Sequence, residues 1–168
     1  MRLSVENINR NSPYWVIQLD DMTFRFATKN GVVYRVGFNL DHYFLKEGAY
    51  HFFIANDSGT FAPKDSDVFK VISLVIEEFF RQPESVMLYI CEASDHREAI
   101  RAKLYQRWFD NYPHEGFLTL RTAEMNFDGY IVYSGMIIRN NHPIYQRLLK
   151  AFDSFTNQAP SRYRIRPK

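Results

Sequence analysis

Read as a succession of apolar and polar positions, the chain switches between a two-residue period and a helical one. Thr23-Phe24-Arg25-Phe26-Ala27-Thr28 and Val32-Val33-Tyr34-Arg35-Val36-Gly37-Phe38 flank Asn30-Gly31. That dipeptide suits a tight turn because both central residues take positive φ. Phe24 and Phe26 on one arm, and Val32, Tyr34, Val36 and Phe38 on the other, alternate with polar or small residues, which predicts a hairpin with one buried face. A short strand is expected around Tyr14 to Leu19, and Tyr50-His51-Phe52-Phe53-Ile54-Ala55 predicts another. Residues 39–49 read as a loop with helical turns, and 56–64, with Gly59 and Pro63, break the pattern.

The period then lengthens. Val68, Val71, Ile72, Val75 and Phe79 form one stripe, widened by Phe69, Ile76 and Phe80. A helix is therefore expected from Asp65 or Ser66 to Gln82, ahead of Pro83, with Lys70, Ser73, Glu77, Glu78 and Arg81 left for water. Val86-Met87-Leu88-Tyr89-Ile90-Cys91 is an unbroken apolar run of strand length, the signature of a strand covered on both faces, and is placed at the centre of the sheet.

Glu92-Ala93-Ser94 turn the chain, and Asp95 with Glu98 reads as a capping pair at a helix start. At helical spacing Ile100, Leu104, Tyr105, Trp108 and Tyr112 share an inward face, while His96, Lys103, Gln106, Arg107 and Asp110 face water. Residues 117–127 and 130–139 predict a second hairpin about Asp128-Gly129. Asn141-His142-Pro143 opens a last helix that turns Ile144, Tyr145, Leu148, Leu149, Phe152 and Phe155 inward.

Together these elements predict a single α+β domain with a mostly antiparallel sheet: three N-terminal strands, a central strand and a C-terminal hairpin, covered by three helices in the order βββαβαββα. Residues 1–13, polar and rich in Asn, are expected as a flexible lead-in. The domain then spans 14–157, and 158–168 form a basic mobile tail.

Composition narrows the class. The chain of 168 residues carries a formal net charge of +2, which suits one ordinary domain. Aromatic residues make up 17%, so rings should supply much of the core. Cys91 is the only cysteine, which excludes an internal disulfide and points to a reducing compartment. The N-terminus MRLSVENINRNSPYW lacks the apolar stretch of a signal peptide, and no run approaches the length of a membrane span, so a soluble, cytoplasmic protein is expected, with no membrane partner.

One polar constellation stands out. Arg97 and Arg101, one helical turn apart, project toward the inward face, where an unpaired charge would cost several kcal/mol or more. Glu92 and Asp95 are the nearest acids. The four residues read either as a structural network pinning the turn, or as the floor of an anion or carboxylate site, since the guanidinium fork matches such groups. Cys91 near Asp95 and His96 invites a thiol-nucleophile reading, but a lone cysteine ending a central strand is more often a small buried hydrophobe.

His42, His51, His96, His114 and His142 form no helical H-x-x-x-H pair, so no metal is expected. There is no P-loop, no G-x-G-x-x-G and no serine nucleophile motif, and no cofactor is expected. The tail Ser161-Arg162-Tyr163-Arg164-Ile165-Arg166-Pro167-Lys168 is basic, yet net +2 is small for a phosphate footprint, so nucleic acid is not expected as a partner.

Phe24-x-Phe26-x-Thr28-x-x-Gly31-x-x-Tyr34-x-Val36-x-Phe38, followed by Tyr89-Ile90-Cys91, Asp95-x-Arg97, Arg101-x-x-Leu104-Tyr105 and Trp108-Phe109, resembles a small uncharacterised bacterial family of unknown function. Glu92 and Tyr105 stand where Asp and Phe would fit that pattern. The resemblance implies a shared fold and transfers no catalytic residue. A second, based on element order with Ala99-Ile100, Leu104-Tyr105 and Gly116-Phe117, is similar to the GCN5-related N-acyltransferases, and implies binding of acetyl coenzyme A. Their [RQ]-x-x-G-x-[GA] pyrophosphate turn is missing from the corresponding NDSGTFAPKDSD, where Asp65 and Asp67 oppose phosphate at a helix start.

The function expected first is thus a non-catalytic binding or regulatory module, with a protein partner or self-association through exposed sheet or aromatic surface. An acyltransferase is second, and an anion- or carboxylate-binding enzyme or sensor using Arg97 and Arg101 third.

Overall fold

In the computed structural model, which describes residues 1–42, 48–91, 98–112, 116–127 and 129–162, the apolar run Val86–Cys91 is an interior strand. In chain order the elements are α1 (Val5–Asn9), β1 (Val16–Gln18), β2 (Thr23–Ala27), β3 (Val33–Asp41), β4 (Ala49–Asn56), α2 (Ser66–Phe79), β5 (Val86–Cys91), α3 (Glu98–Asn111), β6 (Leu118–Phe127), β7 (Tyr130–Arg139) and α4 (Tyr145–Arg162). The strands form one seven-stranded sheet in the order β1-β2-β3-β4-β5-β7-β6. β1 with β2, β2 with β3, β5 with β7 and β6 with β7 are antiparallel, while β4 and β5 are parallel, with His51 beside Leu88. A parallel pair needs a long crossover, and here the chain leaves β4 through α2 before entering β5. The fold is the expected α+β class.

The chain divides into two compact units, Met1–Asn39 with Phe52–Ser85, and Leu40–His51 with Val86–Lys168. In the first, the inward row of the hairpin is built as its alternation demands: Phe24, Phe26, Val36 and Phe38 are buried. Phe38 stacks on Phe79 of α2, their ring centroids 4.1 Å apart, and Phe52 packs on Phe38 at 5.6 Å. Asp65 caps α2 by accepting from the Asp67 N–H at 2.9 Å. Gly31 takes φ +76°, as the turn after β2 requires.

In the second unit, Val86 and Leu88 of β5 and Met136 and Ile138 of β7 form one buried layer with Ala49, against which α4 lays Leu148 and Phe152. Side chains alternate across a strand, so Met87, Tyr89 and Cys91 face the other way, and α3 packs there through Tyr105.

Several expectations change. The lead-in 1–13 contains α1, with Leu3 and Ile8 buried. Ser4 caps it, accepting from the Asn7 N–H at 3.2 Å, so a stretch that looks merely polar has both a helix start and two apolar anchors. Among the described residues helices number four rather than three, and the short strand expected around Tyr14 to Leu19 is present as β1, a fourth strand ahead of α2 that the order βββαβαββα leaves out. α4 continues to Arg162, beyond the expected boundary at 157. Residues 163–168 lie outside the described residues.

Glu78 corrects the reading of α2: expected in water, it is buried. Its carboxylate accepts from the Ser4 N–H at 3.0 Å, from Asn7 Nδ2 at 3.1 Å and from Arg81 Nε at 2.9 Å, so a charged side chain fastens α1 to α2. Ile100 and Leu104 correct the reading of α3. They are 65% and 37% exposed, and the side facing the sheet carries Tyr105 and Trp108 instead.

Candidate functional site

Of the four residues singled out after β5, Arg101 is described, whereas Glu92, Asp95 and Arg97 lie outside the described residues. Arg101 sits two turns before Trp108 on the sheet-facing side of α3. Its guanidinium donates a hydrogen bond to the Cys91 sulfur. Cys91 is fully buried. Around this contact Tyr105 packs on Tyr89 with ring centroids 4.7 Å apart, and Trp108 meets Tyr105 edge-on at 5.5 Å.

The electrostatics of this cluster favour neutral acids. Burial pushes the Cys91 thiol up to about 11, and the Arg101 charge only partly offsets it. Burial likewise pushes both Tyr89 and Tyr105 upward, with the neighbouring Cys91 adding to each. At neutral pH all three hold their protons, and a protonated thiol does not act as a nucleophile. The burial that makes Cys91 a good strand terminus thus weighs against the thiol-nucleophile reading, whose other members, Asp95 and His96, lie outside the described residues.

Two further features escaped the sequence reading. Asp41 Oδ2 lies 2.6 Å from His51 Nε2, joining β3 to β4 across a separation that no short motif spans. The second lies at β1. Trp15, Ile17 and Leu19 alternate with the buried Val16 and are 76%, 45% and 49% exposed. Ile17 pairs in register with Arg25, and Arg25 with Arg35, so the exposed row continues across β2 and β3 as arginines. Arg35 is engaged by Asp57 Oδ1 at 3.2 Å, whereas Arg25 has no ion pair among the described residues. The opposite face of the same strands is closed by rings, with Phe26 between Tyr14 at 6.2 Å and Tyr34 at 5.5 Å. The alternation Trp15-x-Ile17-x-Leu19 was visible in the sequence. What it could not show is that the row faces water.

The edge of β1 is sealed even though its face is open. The Asn9 side chain accepts from the Val16 N–H at 2.9 Å and donates to the Val16 carbonyl at 2.8 Å, occupying the groups that an added strand would use. Gln18 Nε2 also donates to the Leu3 carbonyl at 2.9 Å, which lays the segment before α1 along this strand.

Among the described residues, no three His, Cys, Asp or Glu gather within metal-holding reach, and no helix is long and apolar enough to cross a membrane. Residues 64–154 match the model of a family of unknown function, DUF6169. The match covers α2, β5, α3, β6, β7 and half of α4, so it contains Cys91, Arg101 and Tyr105 and leaves the β1 row outside. No curated protein and no solved structure matches the chain.

Proposed function

The chain belongs to this family of unknown function, and since no activity comes with that membership, we propose from the geometry that it is a non-catalytic binding module. Its working surface is the sheet face bearing Trp15, Ile17 and Leu19. The observation that carries the reading is the exposure of this alternating apolar row beside the closed, ring-filled opposite face of the same strands. Water exposure of three large apolar side chains in one row is costly, and a partner that covers them recovers the burial energy. In this reading Glu92, Asp95, Arg97 and Arg101 serve the fold rather than a ligand, and the contact of Arg101 with the buried Cys91 supports that for Arg101. A cytoplasmic, reducing setting suits that thiol.

Selection of a displayed library of random peptides and small folded domains on the purified chain tests this. Ligands should enrich on the wild type and be lost on Ile17→Asp, with the melting curve of the variant unchanged because Ile17 faces water. Enrichment of no ligand sensitive to Ile17→Asp would sink the reading.

A further inference from the structure

Building on the binding reading, we propose that the partner is an acidic amphipathic helix that lies across Trp15, Ile17 and Leu19 and sets a carboxylate against Arg25. The register makes Arg25 the direct neighbour of Ile17 on the open face. It also places Arg25 opposite Arg35, an arrangement of like charges that destabilises an antiparallel pair unless counter-charges are supplied. Asp57 supplies one for Arg35. Arg25 has none among the described residues, so the row offers apolar surface and an unanswered guanidinium side by side. A ligand complementary to both presents a carboxylate next to an apolar stripe.

Strand addition is disfavoured because Asn9 already holds the Val16 N–H and carbonyl. What remains is the face, and a helix is the element that lays an apolar stripe on a sheet face. The second unit contains the same chemistry within the chain. There α4 lays Leu148 and Phe152 on the β5 and β7 layer, and Asp153 of that helix receives Arg121 of β6 through two hydrogen bonds of 2.9 and 3.0 Å. From Trp15 to Leu19 the row runs roughly 13 Å at strand spacing, which about nine helical residues span. The chain's own terminal segment, with Arg162, Arg164, Arg166 and Lys168, carries the wrong sign to answer Arg25.

The test is a display library of single amphipathic helices with a fixed apolar stripe and flanking positions randomised among Glu, Lys and Gln, selected in parallel on wild type, Arg25→Glu and Ile17→Asp chains. Wild type should enrich Glu beside the stripe, Arg25→Glu should enrich Lys at the same positions, and Ile17→Asp should enrich nothing. Helices that bind through Ile17 with the same charge preference on wild type and Arg25→Glu would overturn the acidic partner while leaving the binding reading standing. Failure of every helix, with Ile17-dependent folded domains recovered from the broader library, would overturn the helix. Wild-type dimers in sedimentation that Ile17→Asp dissolves would instead assign the face to a second copy.

Discussion

The ring of Tyr89 occupies the space in which a side chain on Gly135 would sit. The two residues are cross-strand partners of β5 and β7, and a Cβ built on Gly135 runs into the tyrosine ring. Tyr89 is pinned from the other side by Tyr105, so the ring cannot swing away cheaply. Replacing glycine by alanine within a strand ordinarily gains up to about 1 kcal/mol in chain entropy, but overpacking a closed site costs about 1–3 kcal/mol. The collision wins. Gly135→Ala should destabilise by about 2 kcal/mol in chemical denaturation, and the penalty should shrink in a Tyr89→Leu background. An equal penalty in both backgrounds would show that the ring is not the cause.

Glu78 gives the second expectation. Its carboxylate holds the Ser4 N–H, the Asn7 amide and Arg81 together, and removing it leaves donors of α1 without a partner. Glu78→Ala should cost about 2–3 kcal/mol, and hydrogen exchange should accelerate first in residues 3–9. Exchange that rises uniformly over the chain instead would mean that α1 is held by something else.

Cys91 sets a pH dependence. Burial raises its folded-state pKa from 9.0 to about 11. A raised acid keeps its proton longer in the folded state, so its contribution is full below pH 9 and is lost as pH climbs toward 11. Tyr89 and Tyr105 are shifted in the same direction, also mainly by burial, and add to the loss at the alkaline end. Melting temperature should fall above pH 9, less steeply in Cys91→Ala. Iodoacetamide should leave the folded protein unmodified at neutral pH and label it once unfolded; rapid labelling of the folded chain would contradict the burial.

Asn9 protects the β1 edge. Asn9→Ala uncovers the Val16 N–H and carbonyl beside the exposed Ile17, the combination that invites edge-to-edge pairing. The variant should lose about 1–2 kcal/mol of stability and associate more than the wild type with rising concentration in sedimentation, while Ile17→Asp added to it should return association to the wild-type level or below by placing charge beside the uncovered edge. A variant that stays monomeric at high concentration would show that Asn9 is dispensable as a seal.

The sequence by itself determined the elements whose residues repeat with a clear period. Val86–Cys91 forms the expected strand with its expected ends, because an apolar run that long is stable only inside a sheet. The hairpin arms around Asn30-Gly31 and Asp128-Gly129, the capped start of α2 at Asp65 and the inward Leu148 and Phe152 of α4 follow from alternation, capping and helical spacing, all local properties. Tertiary structure alone decided which surface each period meets. Ile100 and Leu104 have the spacing of an inward stripe, but the sheet meets α3 on the side of Tyr105 and Trp108, because Tyr89 rises over Gly135 and its ring packs at a tilt against Tyr105 there. Glu78 has the character of a solvated residue and is buried because α1, distant in sequence, brings its donors. Trp15, Ile17 and Leu19 have the alternation of any half-buried strand, yet among the described residues nothing covers the side on which they lie, and they are exposed. Periodicity is written in neighbours along the chain. Burial depends on elements that arrive from elsewhere in it, and at the exposed β1 row none of the described elements arrives.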